Sequence, residues 1–101
     1  MPNVIVEVPH DKDPQDVISK AQPVLEKTIE DFEGHDLNME WTDNQAEFSF
    51  KSLAFTIKGN MLVEADKITV TIELPFAAMM FKDKVQGAIT KRLTKAIAEG
   101  G

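Results

Sequence analysis

The stretch QAEFSFKSLAFTIKGNMLVEADKITVTIEL, residues 45–74, decides the fold. Ala46, Phe48 and Phe50 alternate with Glu47, Ser49 and Lys51. After a short break near Ser52 to Ala54, Phe55, Ile57, Gly59, Met61 and Val63 alternate with Thr56, Lys58, Asn60, Leu62 and Glu64. The tight turn EADK leads to Ile68, Val70, Ile72 and Leu74, which alternate with Thr69, Thr71 and Glu73. A period of two with one apolar side is the pattern of half-buried strands. Connections this short force neighbouring strands to run antiparallel. Gly59 in mid-strand marks a bulge or a close approach by a helix.

The same alternation extends upstream. Leu37, Met39 and Trp41 alternate with Asn38, Glu40 and Thr42, and TDNQ is a turn signal that joins them to the next strand. Asn3 to Val8 reads as a first strand with Val4, Val6 and Val8 on one side, ended by Pro9. Between these strands lies a helix from Pro14 to about Glu33. Asp13 suits its N-cap, Pro14 its first position and Asp16 its electropositive first turn. Val17, Ile18, Ala21, Val24, Leu25, Thr28, Ile29 and Phe32 form its apolar stripe. Pro23 falls on the polar side and predicts a bend convex to solvent. Gly34 is the expected stop. A second helix is predicted over about Phe76 to Ala98. The chain is therefore a single α+β domain over residues 1–101, with element order β-α-β-β-β-β-α. The expected architecture is a two-layer sandwich, a mostly antiparallel sheet with both helices on its apolar face. That order matches the helix-on-sheet unit of the TATA-binding-protein fold, an analogy of fold that carries no function.

Composition narrows the function classes. The absence of cysteine excludes disulfides and thiolate chemistry and fits a reducing compartment. No run of about 18 apolar residues is present, so no transmembrane segment is expected. The start of the chain has neither a basic nor a long apolar region, so it is not expected to act as a signal peptide; the expected location is cytoplasmic. The two histidines, His10 and His35, sit in predicted loops beside Asp11 and Asp36. No metal-ligand spacing, nucleophile elbow or phosphate-cradling glycine loop occurs, so the chain reads as non-enzymatic, without metal or cofactor. The polar sheet face carries Glu7, Glu40, Glu47, Glu64 and Glu73 against Lys51 and Lys58, which disfavours nucleic acid. From Phe76 to Glu99 five cations face two acids, a local charge of +3. That leaves −9 for the rest of a chain whose total is −6.

One stretch has more apolar surface than a helix start needs: LPFAAMMFKDK, residues 74–84. Plotted as an α-helix, Ala78, Phe81, Val85, Ala88, Ile89, Leu93 and Ala96 form the main stripe, which makes Phe81 core. Met79 falls at its edge, Met80 lies well off it, and Phe76 precedes the first turn. Phe76 and Met80 either pack on each other as a hydrophobic staple, or form an exposed patch flanked by Lys82, Lys84 and Lys91. Methionine is adaptable and recurs on promiscuous binding surfaces. A cleft between helices and sheet that takes a small apolar ligand or acyl chain, and a homodimer that hides the patch, are the alternatives to an external partner.

The segments VIVEVPH, MEW, FSFKSLAFTIKGNMLVEADKITVTIELP and LPFAAMMFKDKVQGAITKRL together resemble the small polyhydroxyalkanoic acid system proteins of bacteria. The resemblance covers nearly the whole chain. It implies a role in storage-polyester metabolism and carries over no catalytic residue. It brings His10, after Pro9, and the Phe76/Phe81 segment forward as recurrent features. The expected function is that of a non-enzymatic accessory protein. It would bind the polyhydroxyalkanoate granule surface, or a granule-associated protein, through Phe76, Met79, Met80, Lys82 and Lys84, with His10 in a possible functional loop.

Overall fold

The computed structural model describes residues 3–52 and 54–98. Leu53, within the expected break, and Glu99, in the basic segment, lie outside the described residues, as do both ends of the predicted 1–101 domain. The elements are β1 (Asn3–Pro9), α1 (Pro14–Asp31), β2 (Gly34–Thr42), β3 (Gln45–Ser52), β4 (Phe55–Val63), β5 (Lys67–Glu73), a 3-10 turn (Phe76–Phe81) and α2 (Lys82–Ala98). The strands form one sheet in the order β1-β5-β4-β3-β2, with every neighbouring pair antiparallel.

The alternation read from the sequence becomes rows of side chains across the sheet. One row runs Met39, Phe48, Gly59, Ile72 and Val4; the next runs Trp41, Ala46, Met61, Val70 and Val6. Large and small residues face each other along each row, which is how a sheet face fills without voids. The helices cover this face. Val17, Ala21, Leu25, Thr28 and Ile29 of α1 are buried, as are Ile89, Leu93 and Ile97 of α2. Helix α2 packs against α1 and β1, and α1 reaches β2 and β4. The two-layer α+β sandwich follows.

Helix α1 begins as its sequence dictates. The Asp13 carboxylate accepts the Gln15 N–H at 2.8 Å, and Pro14 opens the first turn. Its end differs from expectation. The helix stops at Asp31, and Glu33, not Gly34, takes the left-handed conformation at φ 62°. A non-glycine residue there costs roughly 1 kcal/mol. Gly34 is needed for space instead: a Cβ would press on the Ile29 side chain and lie 2.9 Å from the Phe50 ring. Gly59 also differs from both expected roles. Register is unbroken on both sides of it, so it is no bulge. What approaches is not a helix but the Phe48 ring from β3, with the Thr71 carbonyl oxygen of β5 beside it.

The C-terminal segment is not one α-helix. Pro75 is extended, and its carbonyl accepts the Ala78 N–H at 2.9 Å, which starts the 3-10 turn. Such a turn advances about 120° per residue rather than 100°. The phase of α2 therefore does not extend back to Phe76. Ala78 is buried as the α-helical plot requires; Phe81, one 3-10 turn later and on the same side, lies at the edge of the core and is 41% exposed. Phe81 is not a core residue, and Ile97 takes a buried place at the far end of α2.

Candidate functional site

The 3-10 turn presents four large apolar side chains to solvent. Phe76 is 72% exposed, Met79 49%, Met80 79% and Phe81 41%. Phe76 and Met80 are the most open of the four, so neither is covered in the manner of a staple. Lys82 is half-buried and Lys84 exposed just beyond the turn. Because the turn is short and follows directly on Pro75, only Ala78 reaches the core, and the remaining side chains fan outward.

Beside this turn lies a groove of about 530 Å³ between the helices and the sheet. Phe50, Ile57 and Ile72 form its floor. Leu25 and Phe32 of α1 line one side; Ala77, Phe81, Ala88 and Ile89 line the other. Lys84 also lines the groove, so the exposed turn and the groove mouth adjoin.

Polar groups gather on one wall. The Arg92 guanidinium donates to Asp31 at 2.6 Å and to the Thr28 hydroxyl at 3.0 Å. Thr28 in turn donates to the Val24 carbonyl at 2.8 Å. The Lys27 ammonium lies 3.6 Å from Asp31, one helical turn away. The hydrogen bond from Arg92, aided by the nearby charges, holds the Asp31 carboxyl below its ordinary 3.8. Its contribution to stability is therefore complete above about pH 4 and is lost as pH falls through the lowered value. Asp31→Asn is expected to unfold at a lower temperature than the wild type at neutral pH. The gap should close as pH falls below about 4 in thermal melts. A gap that holds constant to about pH 2 would refute this assignment.

His10 stands elsewhere. Its Nδ1 accepts the Lys12 N–H at 3.1 Å, so its Nε2 donates to the Glu64 carbonyl at 2.8 Å. Its own backbone N–H reaches the Asp66 carbonyl at 2.9 Å. The Nε2 and backbone bonds clip the loop after β1 to the β4–β5 turn, and the Nδ1 bond shapes the loop itself. That turn precedes β5, whereas Phe76 follows it, so the structure does not bring His10 to the apolar turn. His35 is exposed, 3.3 Å from the Asp36 carboxylate. Among the described residues no group of three or more His, Asp or Glu is placed to hold a metal. No buried side-chain nitrogen or oxygen among them lacks a partner.

A family model described as "Putative polyhydroxyalkanoic acid system protein" matches residues 4–97. The chain belongs to this polyhydroxyalkanoic acid system family. The match spans both His10 and the whole Phe76–Lys84 segment, and it associates the protein with polyhydroxyalkanoate metabolism. Nothing in the family description points to catalysis. No curated protein matches the chain. Among solved structures, TTHA0849 from Thermus thermophilus is similar over 99% of each chain, at 11% identity and a TM-score of 0.45. No helix among the described residues of this family member is long and apolar enough to cross a membrane.

Sequence reasoning did not find the groove wall. Thr28 read as one more member of the α1 stripe, and Arg92 as one more cation of the basic segment. The available signal was that Thr28 is the one hydroxyl residue in an otherwise apolar stripe. A hydroxyl buried there needs partners: it donates to the Val24 carbonyl of its own helix and accepts from Arg92, 64 residues away.

Proposed function

We propose that this protein is a non-enzymatic, cytoplasmic accessory of polyhydroxyalkanoate metabolism that adsorbs to the surface of the storage-polyester granule. Phe76, Met79, Met80 and Phe81 make the contact, and Lys82 and Lys84 flank it. The observation that carries this reading is the exposure of four large apolar side chains on one turn. A monomeric protein seldom leaves such a cluster in water without a use for it. Full burial of one such side chain contributes about 1.5–3 kcal/mol. Four partly exposed ones give on the order of 5 kcal/mol before the cost of immobilisation. That suits reversible adsorption rather than permanent insertion. The family's association with polyhydroxyalkanoate metabolism supports a polyester surface: such a body is apolar, as an acyl interface is, and amphipathic surfaces lie on such interfaces with their apolar side inward.

The test is co-sedimentation with polyester particles. The double variant Met79→Asp/Met80→Asp places two charges in the contact and is expected to lower particle affinity by at least about tenfold. Both positions are exposed, so the fold is expected to survive. Unchanged binding by a folded variant would remove this turn from the mechanism. Binding only to particles that carry a protein coat would make a granule-associated protein the partner. Should a second copy cover the turn instead, sedimentation velocity will show a wild-type dimer that the double variant dissociates.

A further inference from the structure

We propose that the groove between the helices and the sheet receives an uncharged aliphatic ester, such as a short segment of hydroxyalkanoate polyester. This rests on the polyester reading for its occupant, but not on the exposed turn as the docking surface. A volume of about 530 Å³ falls within the range of small-ligand sites. Phenylalanine and aliphatic side chains make most of its surface, which calls for alkyl groups. The polar wall then selects among alkyl compounds. Arg92 has five N–H donors, and Asp31 and Thr28 each engage one of its terminal nitrogens. Its remaining donors can serve a ligand that accepts hydrogen bonds.

The charge of that ligand follows from the neighbours. Asp31 already neutralises Arg92, and Glu33 lies on the same rim. A carboxylate placed at Arg92 would meet Asp31 and Glu33 against Lys84, so the balanced lining does not offset its desolvation. A cation would meet Arg92 and Lys84. An uncharged acceptor flanked by alkyl groups satisfies the spare donors and meets no like charge. An ester carbonyl is such a group, and in a polyester it recurs between alkyl units. Because Ala77, Phe81 and Lys84 line both the groove and the end of the molecule with the exposed turn, a chain segment lifted from an apolar surface would meet the groove mouth first.

The experiment uses a soluble trimer of a 3-hydroxyalkanoate, as its methyl ester and as its free acid, titrated into the full chain by calorimetry. The wild type is expected to bind the ester saturably and the free acid several-fold more weakly. Arg92→Met removes the donors at similar length and is expected to weaken ester binding roughly tenfold or more. Ala77→Trp, at an exposed position on the mouth, is expected to abolish it. The variant Met79→Asp/Met80→Asp is expected to bind the soluble ester as the wild type does, even where it no longer sediments with particles. Absence of saturable ester binding, equal or tighter binding of the free acid, or unchanged binding in both Arg92→Met and Ala77→Trp would each overturn the proposal. If Arg92→Met fails to fold, Ala77→Trp alone decides.

Discussion

Phe48→Ala is expected to destabilise the protein by about 4 kcal/mol, the cost of deleting a fully packed ring. Phe48 is 4% exposed. Its ring stacks on Phe50 with centroids 6.4 Å apart and covers the backbone of Gly59 on the next strand. Gly59, opposite on β4, has no side chain to move into the space, which leaves relaxation to Met39 on β2 and to Phe50. A cavity term therefore adds to the lost transfer energy. A domain of this size has roughly 5–15 kcal/mol of stability, so the variant should be marginal at best. Urea unfolding with an unchanged slope will measure it. A loss below about 1 kcal/mol would show that the ring is not the filler described.

Gly59→Val carries the second large effect, about 3 kcal/mol or more of destabilisation. Valine is the better strand former, and on propensity alone the change would be favourable by up to about 1 kcal/mol. Sterics win because a Cβ at residue 59 would lie 2.5 Å from the Phe48 ring and 2.5 Å from the Thr71 carbonyl oxygen. The ring can turn away, but the carbonyl belongs to the β4–β5 ladder and cannot move without breaking it. The two substitutions share one contact, so they should not add. Phe48→Ala/Gly59→Val is expected to cost less than the sum of the single changes by about 1 kcal/mol or more, as the valine occupies part of the space the ring leaves. Strict additivity would place the clash at Thr71 alone.

These two positions also show where the chain's own pattern is informative. Val4, Val6, Val8, Ala46, Phe48, Phe50, Ile57, Met61, Val63, Ile68, Val70 and Ile72 all face the core as their alternation requires. One-sided burial writes itself into a sequence with period two. Gly59 was legible as special, but not its reason, since the residue it makes room for sits on another strand. Glu33 in the left-handed region was hidden for a related cause: Gly34 looked like the flexible residue, but Ile29 and Phe50 claim its missing side chain. Phe81 was misplaced for a different reason: it does lie on the side of Ala78, one 3-10 turn on, but the groove opens there and leaves it 41% exposed.

The candidate site divides in the same way. The apolar excess of Phe76, Met79 and Met80 stood out in the sequence because it breaks the helical stripe. A cleft between helices and sheet was an expected alternative, but not its lining, because that exists only where α1, α2 and the sheet fail to close on one another. Its polar wall joins Thr28 and Asp31 to Arg92, residues of two helices at opposite ends of the chain. The Nε2 hydrogen bond of His10 is equally non-local, reaching Glu64 at a separation of 54 residues. A loop histidine looks free in sequence; its partners appear only when the sheet is assembled.

The placement of β1 has a consequence for how the protein comes into being. The first strand pairs with the last, Asn3 opposite Glu73, and its buried side is roofed by α2. The meander β2 to β5 can zip through short turns as it leaves the ribosome. The valines of β1 must wait until most of the chain has been synthesised. Pairings that close so long a loop slow folding and leave apolar strand surface open meanwhile. An expected outcome is that the nascent protein draws on holding chaperones mainly through its first ten residues, and that a circular permutant beginning at α1 and carrying β1 after α2 folds faster than the natural order.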